Sequence, residues 1–349
     1  MALTVLRRYP FVTRMAAELF NSGALSNVED IEIEPEFGHT TRIRYTGGRV
    51  RMTRGNDVGL NSGAACEVVR DKAFTRYFLQ LQGVTCARGQ SFLLNWWADL
   101  LRPRAGVLGP ELLRTVDQML PYIREQLRMP VYVKPVDGSK GQNIWCCRTE
   151  QEVVAALDGY ERERVKVALV EQDVALPDYR LVVLDGELIS AYERRPLQVE
   201  GDGVGTIAEL VGRLQLAFRA DQRDTVLTPG DRRIAARLAA NGLTWDSVPA
   251  AGVRVRLHDI SNLSAGGTAV EYTDTVCERW RLLAIDICAQ FGLRFGGVDL
   301  ACSDLTAPDG DYAVLEVNAS PGLDHYGSVG ATQAQIVRRL YARVLNTIP

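Results

Sequence analysis

Apolar and polar positions along the first ninety residues predict a small α/β unit. Apolar side chains spaced three and four residues apart are typical of a helix with one buried face, and strict alternation is typical of a half-buried strand. A turn at Thr46, Gly47 and Gly48 separates two alternating segments. Helices are predicted over 11–20 and 71–82, and strands over 30–34, 41–45 and 50–53.

The rest of the chain predicts a longer alternation of strands and helices. Proline and glycine punctuate 96–109, which predicts a loop, and the amphipathic pattern that follows predicts a helix over 110–127. Strands are predicted in VYVKP, IWCC, VALVEQDV, YRLVVL and ELISAYE, and helices over 150–160, 207–220, 232–241 and 275–291. The whole pattern predicts a mixed α/β (α+β) fold.

Length and charge narrow the class of protein. At 349 residues the chain is too long for one compact core, so two or three packed units are expected. Its 43 acidic and 40 basic residues give a net charge of -3, without the positive field that attracts nucleic acids or anionic membranes. No run reaches the roughly 20 apolar residues of a membrane span. Arg7, Arg8 and Arg14 interrupt any signal peptide, so a cytoplasmic protein is expected.

Two residue types change this picture further. The seven cysteines show no Cys-x-x-Cys spacing and predict buried free thiols, with a redox role for adjacent Cys146 and Cys147 as the alternative. Arginine dominates the 40 basic residues, and a lysine kept against that bias indicates a position that needs a compact point charge. The four lysines are Lys72, Lys134, Lys140 and Lys166.

A candidate phosphate-binding loop follows the strand VYVKP. Lys134 lies within this apolar strand, where a bound anion would offset the cost of burying it. The alternative is a lysine that extends its charge past the edge of a sheet. The next residues combine backbone N–H groups, a hydroxyl and a second ammonium, a composition that wraps phosphates. They are Gly138, Ser139, Lys140 and Gly141.

Two apolar strands near the C-terminus carry polar residues where apolar ones are expected. Glu316 and Asn318 are two apart and share a strand face, and Asp299 lies on a segment expected to pair with that strand. Such oxygen ligands suit Mg2+ that bridges nucleotide phosphates. The alternative is that Asp299 and Glu316 pair with arginines on a solvent-facing sheet.

A third group of candidates lies within 169–196. A strand end offers backbone groups to an adenine edge, an aspartate accepts from ribose hydroxyls, and two arginines on the next hairpin face phosphates. The alternative for each charge is a solvated surface position. In chain order these candidates are Glu171, Val174, Asp178, Arg180 and Arg194. A polar, glycine-rich turn over 261–268 is a fourth element.

In this order, the elements resemble an ATP-grasp carboxylate–amine ligase. From about residue 56 onward the chain is similar to the ATP-grasp module of cyanophycin synthetase and of the bifunctional glutathione synthetases. The resemblance rests on VKPVDGSKG, Glu171 to Asp178 with Arg180, Arg194-Arg195-Pro196 before Gly201-Asp202-Gly203, LTPGDRRIAARLAANGLTWDSVPAAG, NLSAGGTAVEYTD, GVDL and LEVNASPG. It implies an ATP-grasp fold with an N-terminal domain over 1–90, a central subdomain over 91–175 and a C-terminal subdomain over 176–349, the last two gripping ATP.

The resemblance also implies a role for each candidate. ATP would be held by Lys72, Lys134, Gly138, Ser139, Lys140, Gly141, Glu171, Val174 and Asp178, and Mg2+ by Asp299, Glu316 and Asn318. The acceptor side would be lined by Ser264, Gly266, Gly267, Ser320 and Gly322, with Arg180, Arg194, His258 and Asn262 as catalytic residues.

His258 departs from the family pattern, because an arginine is expected four residues before Asn262. A histidine titrates near neutrality, so the hypothesis is that turnover requires protonated His258. The alternative is a structural histidine held by hydrogen bonds. Leu176 and Pro177 also replace an expected glycine turn before the ribose candidate Asp178.

The activity implied is formation of an amide or peptide bond between a small amino acid or peptide carboxylate and an amine, through an acyl phosphate, with release of ADP and phosphate. Such chemistry needs positioned reactants and cations more than a nucleophilic side chain. The alternatives are an amino-acid ligase that modifies a protein tail and an inactive nucleotide-binding regulatory relative.

The resemblance carries expectations about the rest of the molecule as well. The length implies a stand-alone ligase without the further domains of those relatives, and a homodimer is expected. Segment 91–109 has no counterpart in them. Its Trp96 and Trp97 would form a substrate wall or a subunit contact, or pack against the helix predicted from Pro110.

Overall fold

The described part of the chain is built from antiparallel sheets and the helices that cover them. The computed structural model describes residues 3, 9–104, 113–138, 141, 143–220, 223, 225–228 and 230–348. Within these residues every pairing between the strands is antiparallel, which makes the fold α+β in the mixed α/β class. No helix in this part of the chain is long and apolar enough to cross a membrane.

The N-terminal unit forms as its periodicity predicts. The elements are helix α1 (Phe11–Asn21) and strands β1 (Val28–Ile33), β2 (Thr40–Tyr45) and β3 (Val50–Arg54), which pair in the order β1-β2-β3, followed by helices α2 (Gly63–Arg70) and α3 (Lys72–Leu81). Asp71 accepts hydrogen bonds from the backbone N–H groups of Ala73 (2.8 Å) and Phe74 (3.0 Å). This cap fixes Lys72 as the first residue of α3.

A four-stranded sheet follows, in the order β4-β7-β5-β6. Its elements are β4 (Gly89–Leu93), α4 (Asn95–Leu101), short 3-10 turns at Arg102–Arg104 and Val116–Gln118, α5 (Met119–Gln126), β5 (Val131–Pro135), β6 (Trp145–Cys147), α6 (Glu150–Arg162) and β7 (Val167–Gln172). The apolar residues of β5 and β7 form one core with α5 and α6. This sheet is therefore the body of the central subdomain.

Two sequence predictions in this region are wrong. The predicted loop over 96–109 begins as helix α4, because no helix breaker occurs before Pro103; residues 105–112 lie outside the described part. Of the helix predicted over 110–127, residues 110–112 lie outside the described part, 113–118 are not α-helical, and α5 begins at Met119. Thr115 and Gln118 form a reciprocal capping box at the 3-10 turn just before it, so the helical run starts there.

The C-terminal part contributes a five-stranded sheet in the order β12-β9-β8-β13-β14, and β10 pairs with β11. Its elements are β8 (Asp178–Leu184), β9 (Glu187–Arg195), β10 (Gln198–Glu200), α7 (Ile207–Ala220), α8 (Arg232–Ala239), β11 (Arg254–Arg256), a 3-10 turn at Leu263–Ala265, β12 (Thr268–Glu271), α9 (Glu278–Gln290), β13 (Phe295–Cys302), β14 (Tyr312–Asn318), α10 (Asp324–Gly327) and α11 (Ala331–Asn346).

Both faces of the five-stranded sheet are covered. Successive residues of β8 alternate between two cores: Val182 packs with α1, β1 and α11, and Val183 packs with α2, α3 and α9. Every residue of β13 is buried as a result. The N-terminal unit therefore shares its core with the C-terminal sheet, and the guanidinium of Arg51 donates to the Val344 carbonyl of α11 at 2.9 Å.

A smaller lobe within the C-terminal part has an apolar core of its own. Residues from 197 to 257 pack around Ile207, Val211 and Leu238, apart from the core of the large sheet. We call this unit the acceptor lobe. The boundaries drawn from sequence at 90 and 175 stay a prediction.

Candidate functional site

A narrow cavity lies where helix α3 meets the edges of the two large sheets. Its charged lining comes from Lys72 and Arg76 of α3, Glu171 of β7 and Glu316 of β14. Lys72 and Arg76 are four residues apart, so both side chains leave the same face of α3. The cavity therefore brings together charges from both subdomains.

Lys72 is buried, with 8% of its surface exposed, and has two polar contacts. Its Nζ lies 3.3 Å from Oε1 of Glu316 and donates to the Gly138 carbonyl at 3.2 Å. The first residue of α3 thus links the predicted Mg2+ strand to the start of the predicted phosphate loop. Ser139 and Lys140, the central residues predicted for that loop, lie outside the described part of the chain.

Lys134 forms an ion pair with Glu171 across neighbouring strands. Tyr132 is the register partner of Glu171, and Lys134 lies two residues further along β5 on the same face. Both side chains are about nine-tenths buried. The interpretation of Lys134 as a lysine that reaches into solvent is therefore wrong. Glu171, predicted at the adenine, contacts the lysine in this structure.

Four side chains on adjacent strands form a buried ionic network. Arg194 on β9 lies opposite Asp178 on β8, and Arg180 on β8 lies opposite Asp299 on β13. The Nη2 of Arg194 donates to both oxygens of Asp178 (2.7 and 2.9 Å) and lies 2.9 Å from Oδ2 of Asp299. Arg180 binds Asp299 through both Nε and Nη2. Two carboxylates and two guanidiniums balance one another in this network.

The pKa values of the two carboxylates of the network shift in opposite directions. Burial raises the pKa of Asp178 more than the adjacent Arg194 lowers it. Burial also acts to raise the pKa of Asp299, but the guanidiniums of Arg180 and Arg194 outweigh it and hold that pKa below its usual range. Asp299 is therefore the member held firmly in its charged form.

The predicted Mg2+ ligands divide into two kinds. Glu316 is part-exposed and contacts the ammonium of Lys72, and the buried amide Nδ2 of Asn318 has no partner within the described residues. Both oxygens of Asp299, in contrast, are bound by arginines, although Asp299 is the register partner of Glu316. The arginine pairing left open for Asp299 is thus found, but in the core rather than on a solvent-facing sheet. Across the described ranges, no three His, Cys, Asp or Glu side chains are grouped to hold a metal.

The glycine-rich turn lies directly against the phosphate loop. A Cβ at Gly141 would lie 2.3 Å from Nδ2 of Asn262, and Gly141 has a left-handed φ of 69°, so glycine favours this close approach. Gly267 is equally constrained, since its Cβ would meet the Asn262 carbonyl oxygen at 3.0 Å. Gly266 adopts a left-handed φ of 98°, which ends the 3-10 turn Leu263–Ala265 that contains Ser264. The predicted acceptor turn and the predicted phosphate loop are therefore neighbours.

Ser320 and Gly322 flank Pro321, which packs on β13. A Cβ at Gly297 would lie 3.0 Å from Cβ of Pro321 and 3.1 Å from Cδ of Arg180. This segment therefore borders the ionic network, and its role at the acceptor side stays a prediction. Val174 lies in the segment between β7 and β8, partly buried, where its carbonyl accepts from the Leu176 N–H at 2.7 Å.

His258 is buried within the acceptor lobe, with 3% of its surface exposed. Burial lowers its pKa, and the positive charge of Arg233 lowers it further, against opposing effects of Asp231 and Asp259. The neutral imidazole is therefore the favoured form near pH 7. This direction is opposite to the one that a protonated catalytic His258 requires.

Sequence reasoning missed Arg76 and the contacts of Asp259. The guanidinium of Arg76 donates to the Gly89 carbonyl at the start of β4, and so ties α3 to the central sheet. The carboxylate of Asp259 accepts from Arg148 at 2.6 Å and from Arg237 at 3.2 Å, which joins β6 to the acceptor lobe. The four-residue spacing from Lys72 places Arg76 on the same helix face and could have indicated its role. Arg148 and Asp259 are too far apart in sequence for any local pattern to predict their contact.

Tryptophans 96 and 97 belong to the packing of the central subdomain. The Nε1 of Trp96 donates to the Val165 carbonyl at 2.8 Å, and the guanidinium of Arg164 lies 4.1 Å from its ring centre. The ammonium of Lys166 lies 4.8 Å from the ring of Trp97. Both indoles are therefore covered by the 164–166 segment.

Comparison with known proteins agrees with this geometry. The sequence profile of the RimK-like ATP-grasp domain matches residues 101–202. Cyanophycin synthetase of Trichormus variabilis is 32% identical over 262 residues, which cover 73% of this chain and 27% of that protein. Glutathione biosynthesis bifunctional protein GshAB of Mannheimia succiniciproducens is 35% identical over 167 residues, 45% of this chain and 22% of that protein.

A solved structure extends the likeness to the fold. The bifunctional glutathione synthetase from Pasteurella multocida superposes with a TM-score of 0.58 at 21% identity, over 96% of this chain and 44% of that one. This chain spans only about a quarter of the length of the cyanophycin synthetases that it matches, 27% in the case given. It is an ATP-grasp protein, with a RimK-like ATP-grasp domain, and is homologous to cyanophycin synthetase and to GshAB.

Proposed function

We propose that this protein is an ATP- and Mg2+-dependent ligase that joins the carboxylate of an amino acid or small peptide to an amine. One observation carries the proposal: the ammonium groups of Lys72 and Lys134 belong to different subdomains, and each is buried against a carboxylate beside the cleft between the two sheets. Buried ammonium groups beside a cavity are suited to the phosphates of a nucleotide.

The reaction has two balanced steps. An oxygen of the donor carboxylate attacks the γ-phosphorus of ATP, ADP leaves, and an acyl phosphate forms. The amine nitrogen then attacks the acyl carbon, loses a proton, and releases phosphate. Neither step needs a nucleophilic side chain, so the work of the protein is to bind, orient and neutralise charge.

The residues of the site fit those tasks. Lys72 and Lys134 bind phosphate oxygens, and Gly138 and Gly141 bring the loop backbone close to them. Arg180 lies where the 320–322 segment, through Pro321, meets the five-stranded sheet, and Arg194 joins it through Asp299. Their guanidiniums orient the carboxylates of the network and place positive charge beside the transferred group.

Glu316 and Asn318 fit a Mg2+ ion that also binds nucleotide phosphates. They offer a part-exposed carboxylate and an amide on one strand face, and Mg2+ commonly takes one or two protein carboxylates and completes its shell with phosphates and water. When bound, the ion would neutralise charge that develops on the phosphates. Asp299 does not join this set while the two arginines hold both its oxygens.

The names of the relatives support the substrate class. Cyanophycin synthetase and a glutathione biosynthesis protein both act, by name, in building peptide-like products. We therefore propose small amino acid or peptide substrates for this chain. Addition of amino acids to a protein tail uses the same chemistry, and the assay below separates the two.

The test is ADP and phosphate release with MgATP against a matrix of amino acids and dipeptides, with hydroxylamine as a surrogate amine. A hydroxamate formed together with ADP supports the acyl phosphate and identifies the donor. Lys134→Met is expected to abolish ADP formation. Lys166→Met, which removes a lysine outside the cleft, is the matched control and is expected to retain it.

Two outcomes would count against the proposal. ATP binding without ADP release on any small molecule or acceptor peptide would favour a regulatory nucleotide-binding protein. Equal ADP formation by the Lys134→Met and Lys166→Met variants would remove the cleft lysine from the mechanism.

A further inference from the structure

The segment over 259–262 joins the acceptor lobe to the acceptor turn and contacts the central subdomain on the way. A Cβ at Gly141, in the phosphate loop, would lie 2.6 Å from Cδ1 of Ile260 and 2.3 Å from Nδ2 of Asn262. At these distances the segment and the loop leave no space for a water molecule between them. The reaction chamber of the proposed ligase is therefore closed at this point.

Asp259 fixes this segment through its side chain and its backbone. Its Oδ1 accepts from Nη2 of Arg148, the residue after β6, at 2.6 Å and from Nη1 of Arg237 in α8 at 3.2 Å. Its carbonyl accepts from the hydroxyl of Tyr132 in β5 at 3.2 Å and from Nη2 of Arg256 at 2.5 Å. One residue thus ties the central sheet to the acceptor lobe.

The charges at this junction depend on the Asp259 carboxylate. Its side chain is 18% exposed, and those of Arg148 and Arg237 are 26% and 22% exposed, so solvent and salt screen these pairs less than surface pairs. Both guanidiniums converge on one carboxylate oxygen. Without that negative charge, two like charges from opposite sides of the junction would repel each other.

We propose that Asp259 is a positioning residue, whose ion pairs with Arg148 and Arg237 hold the acceptor turn on the phosphate loop so that the acyl phosphate reacts with the amine and not with water. Once the junction opens, the oxygen of water attacks the acyl carbon, phosphate leaves, and the donor carboxylate is restored with loss of a proton. ATP is then consumed without product. The inference rests on the proposed function and extends it to the coupling of its two steps.

The chain contains its own reporter of opening at this junction. Cys146 is the register partner of Tyr132, so both side chains lie on the sheet face that meets Asp259. Burial raises the pKa of the Cys146 thiol to about 11, Asp259 raises it further, and Arg148 lowers it. Because the thiolate is the reactive form, loss of the Arg148 charge alone would slow alkylation of Cys146, whereas opening of the junction speeds it.

The first experiment alkylates the full-length protein with iodoacetamide and follows Cys146 by tandem mass spectrometry. Arg148→Gln and Arg237→Gln are each expected to speed labelling of Cys146 about ten-fold, since each removes a charge-assisted hydrogen bond. Arg254→Gln, which breaks an exposed pair with Glu200 inside the same lobe, is the matched control and is expected to change nothing. Cys288, buried in the core beside the five-stranded sheet, reports global unfolding and should stay unlabelled.

The second experiment measures the amide product formed for each ADP released. A destabilised enzyme loses product and ADP together, so this ratio responds to positioning and not to stability. Arg148→Gln and Asp259→Asn are expected to lower the ratio at least about two-fold. Arg148→Lys, which keeps the positive charge, should restore most of it, and Arg254→Gln should leave it unchanged.

Three outcomes would overturn the inference. They are labelling of Cys146 that does not rise in Arg148→Gln and Arg237→Gln, labelling of Cys288 that rises in parallel, and an unchanged product ratio in variants that release ADP. The labelling requires no turnover, so it decides whether Asp259 holds the junction even when the unaltered protein forms no ADP. Absence of ADP would count against the proposed function alone.

Discussion

The cleft lysines and the buried arginines solve the same electrostatic problem in different ways. Lys72 and Lys134 each lie against one carboxylate, at the border between the two subdomains. Arg180 and Arg194 lie inside the five-stranded sheet and bind two aspartates. Both carboxylate oxygens of each aspartate accept hydrogen bonds from these guanidiniums. Both sets are buried, and Lys72 lines the cavity at α3 together with Glu171, the partner of Lys134.

This difference explains why a chain that favours arginine keeps lysine at these positions. A guanidinium binds a carboxylate in a planar, two-pronged arrangement, which saturates both partners and builds a stable core. An ammonium is a point charge whose three donors are not all used by one carboxylate. The arginines are therefore suited to hold strands together, and the lysines to receive a ligand.

The largest expected effect on stability comes from removing Asp299, which binds both arginines of the network. Asp299→Ala leaves the buried guanidinium of Arg180 without its counter-ion and leaves Arg194 with Asp178 alone, and we expect a loss of about 5 kcal/mol of unfolding free energy. Urea unfolding with EDTA present isolates this from any metal. Glu187→Ala, which breaks an exposed pair with Arg343, is the control and is expected to cost less than about 1 kcal/mol. Equal losses would show that the network does not stabilise the sheet.

Variants of the ion pair between Lys134 and Glu171 are expected to separate the effect of Lys134 on stability from its effect on ligand binding. Lys134→Met alone leaves Glu171 buried and unpaired, at a cost of about 3 kcal/mol. Adding Glu171→Gln removes the orphan charge and should restore unfolding free energy to within about 1 kcal/mol of the original. Nucleotide binding, measured by calorimetry, should stay lost in the double variant. Recovery of ATP binding would place the role of Lys134 in folding alone.

His258 is a further buried titratable group, and its surroundings favour the neutral form. Its pKa is lowered by burial and by Arg233, so below the unfolded pKa of about 6.5 the unfolded chain binds a proton that the folded protein does not. Stability is therefore complete above that pH and falls as pH drops toward the folded pKa, by at most about 1.4 kcal/mol per pH unit. Urea unfolding at pH 7.5 and 5.5 measures it.

The His258→Asn variant should show a smaller drop over the same pH interval. The same variant examines catalysis: a rate that depends on the neutral imidazole, or on neither form, gives a pH profile without a rise below pH 6.5. A rise in kcat/KM on acidification that disappears in His258→Asn would restore the protonated-histidine hypothesis.

The smallest expected change in stability comes from removing an arginine that lies over an aromatic ring. Arg164 has a left-handed φ of 59° and lies over Trp96, so Arg164→Ala loses a cation–π contact worth about 0.5–1 kcal/mol and keeps the backbone strain. Arg164→Gly loses the same contact but relieves the strain, and should be neutral to within about 0.5 kcal/mol. Thermal unfolding of both variants checks the sign; a glycine variant less stable than the alanine variant would contradict it.

Much of the fold could be predicted from local pattern. The strands and helices from Val131 to Ala220 agree with the predicted segments to within a few residues, because buried β-branched runs and amphipathic helices alternate there without ambiguity. Helix α4 is not predicted because Pro103 and the later glycines indicate a loop over all of 96–109, although these residues follow the helix. Its apolar residues pack on the central core, a tertiary contact that sequence does not show.

The position of Asp299 beside Glu316 could be predicted from the sequence, but the ionic partners of Asp299 could not. Cross-strand pairing placed Asp299 opposite Glu316, as expected from their position on adjacent strands. That Asp299 binds Arg180 and Arg194 depends on β8 lying between β9 and β13, an order that no local pattern encodes. The contact between Gly141 and Asn262 joins residues more than a hundred positions apart, and for the same reason only the folded chain reveals it.

The shared core of the N-terminal unit and helix α11 has a consequence for the order in which the protein folds during synthesis. Asn27 donates two hydrogen bonds to Asn346, and Arg51 donates to Val344, so helix α11 completes a core that α1 begins. While the ribosome is still translating the central sheet, the apolar face of α1 lacks its cover. The unit that contains α1 is therefore completed only after α11 has been synthesised, and a nascent chain is expected to need protection from aggregation until then.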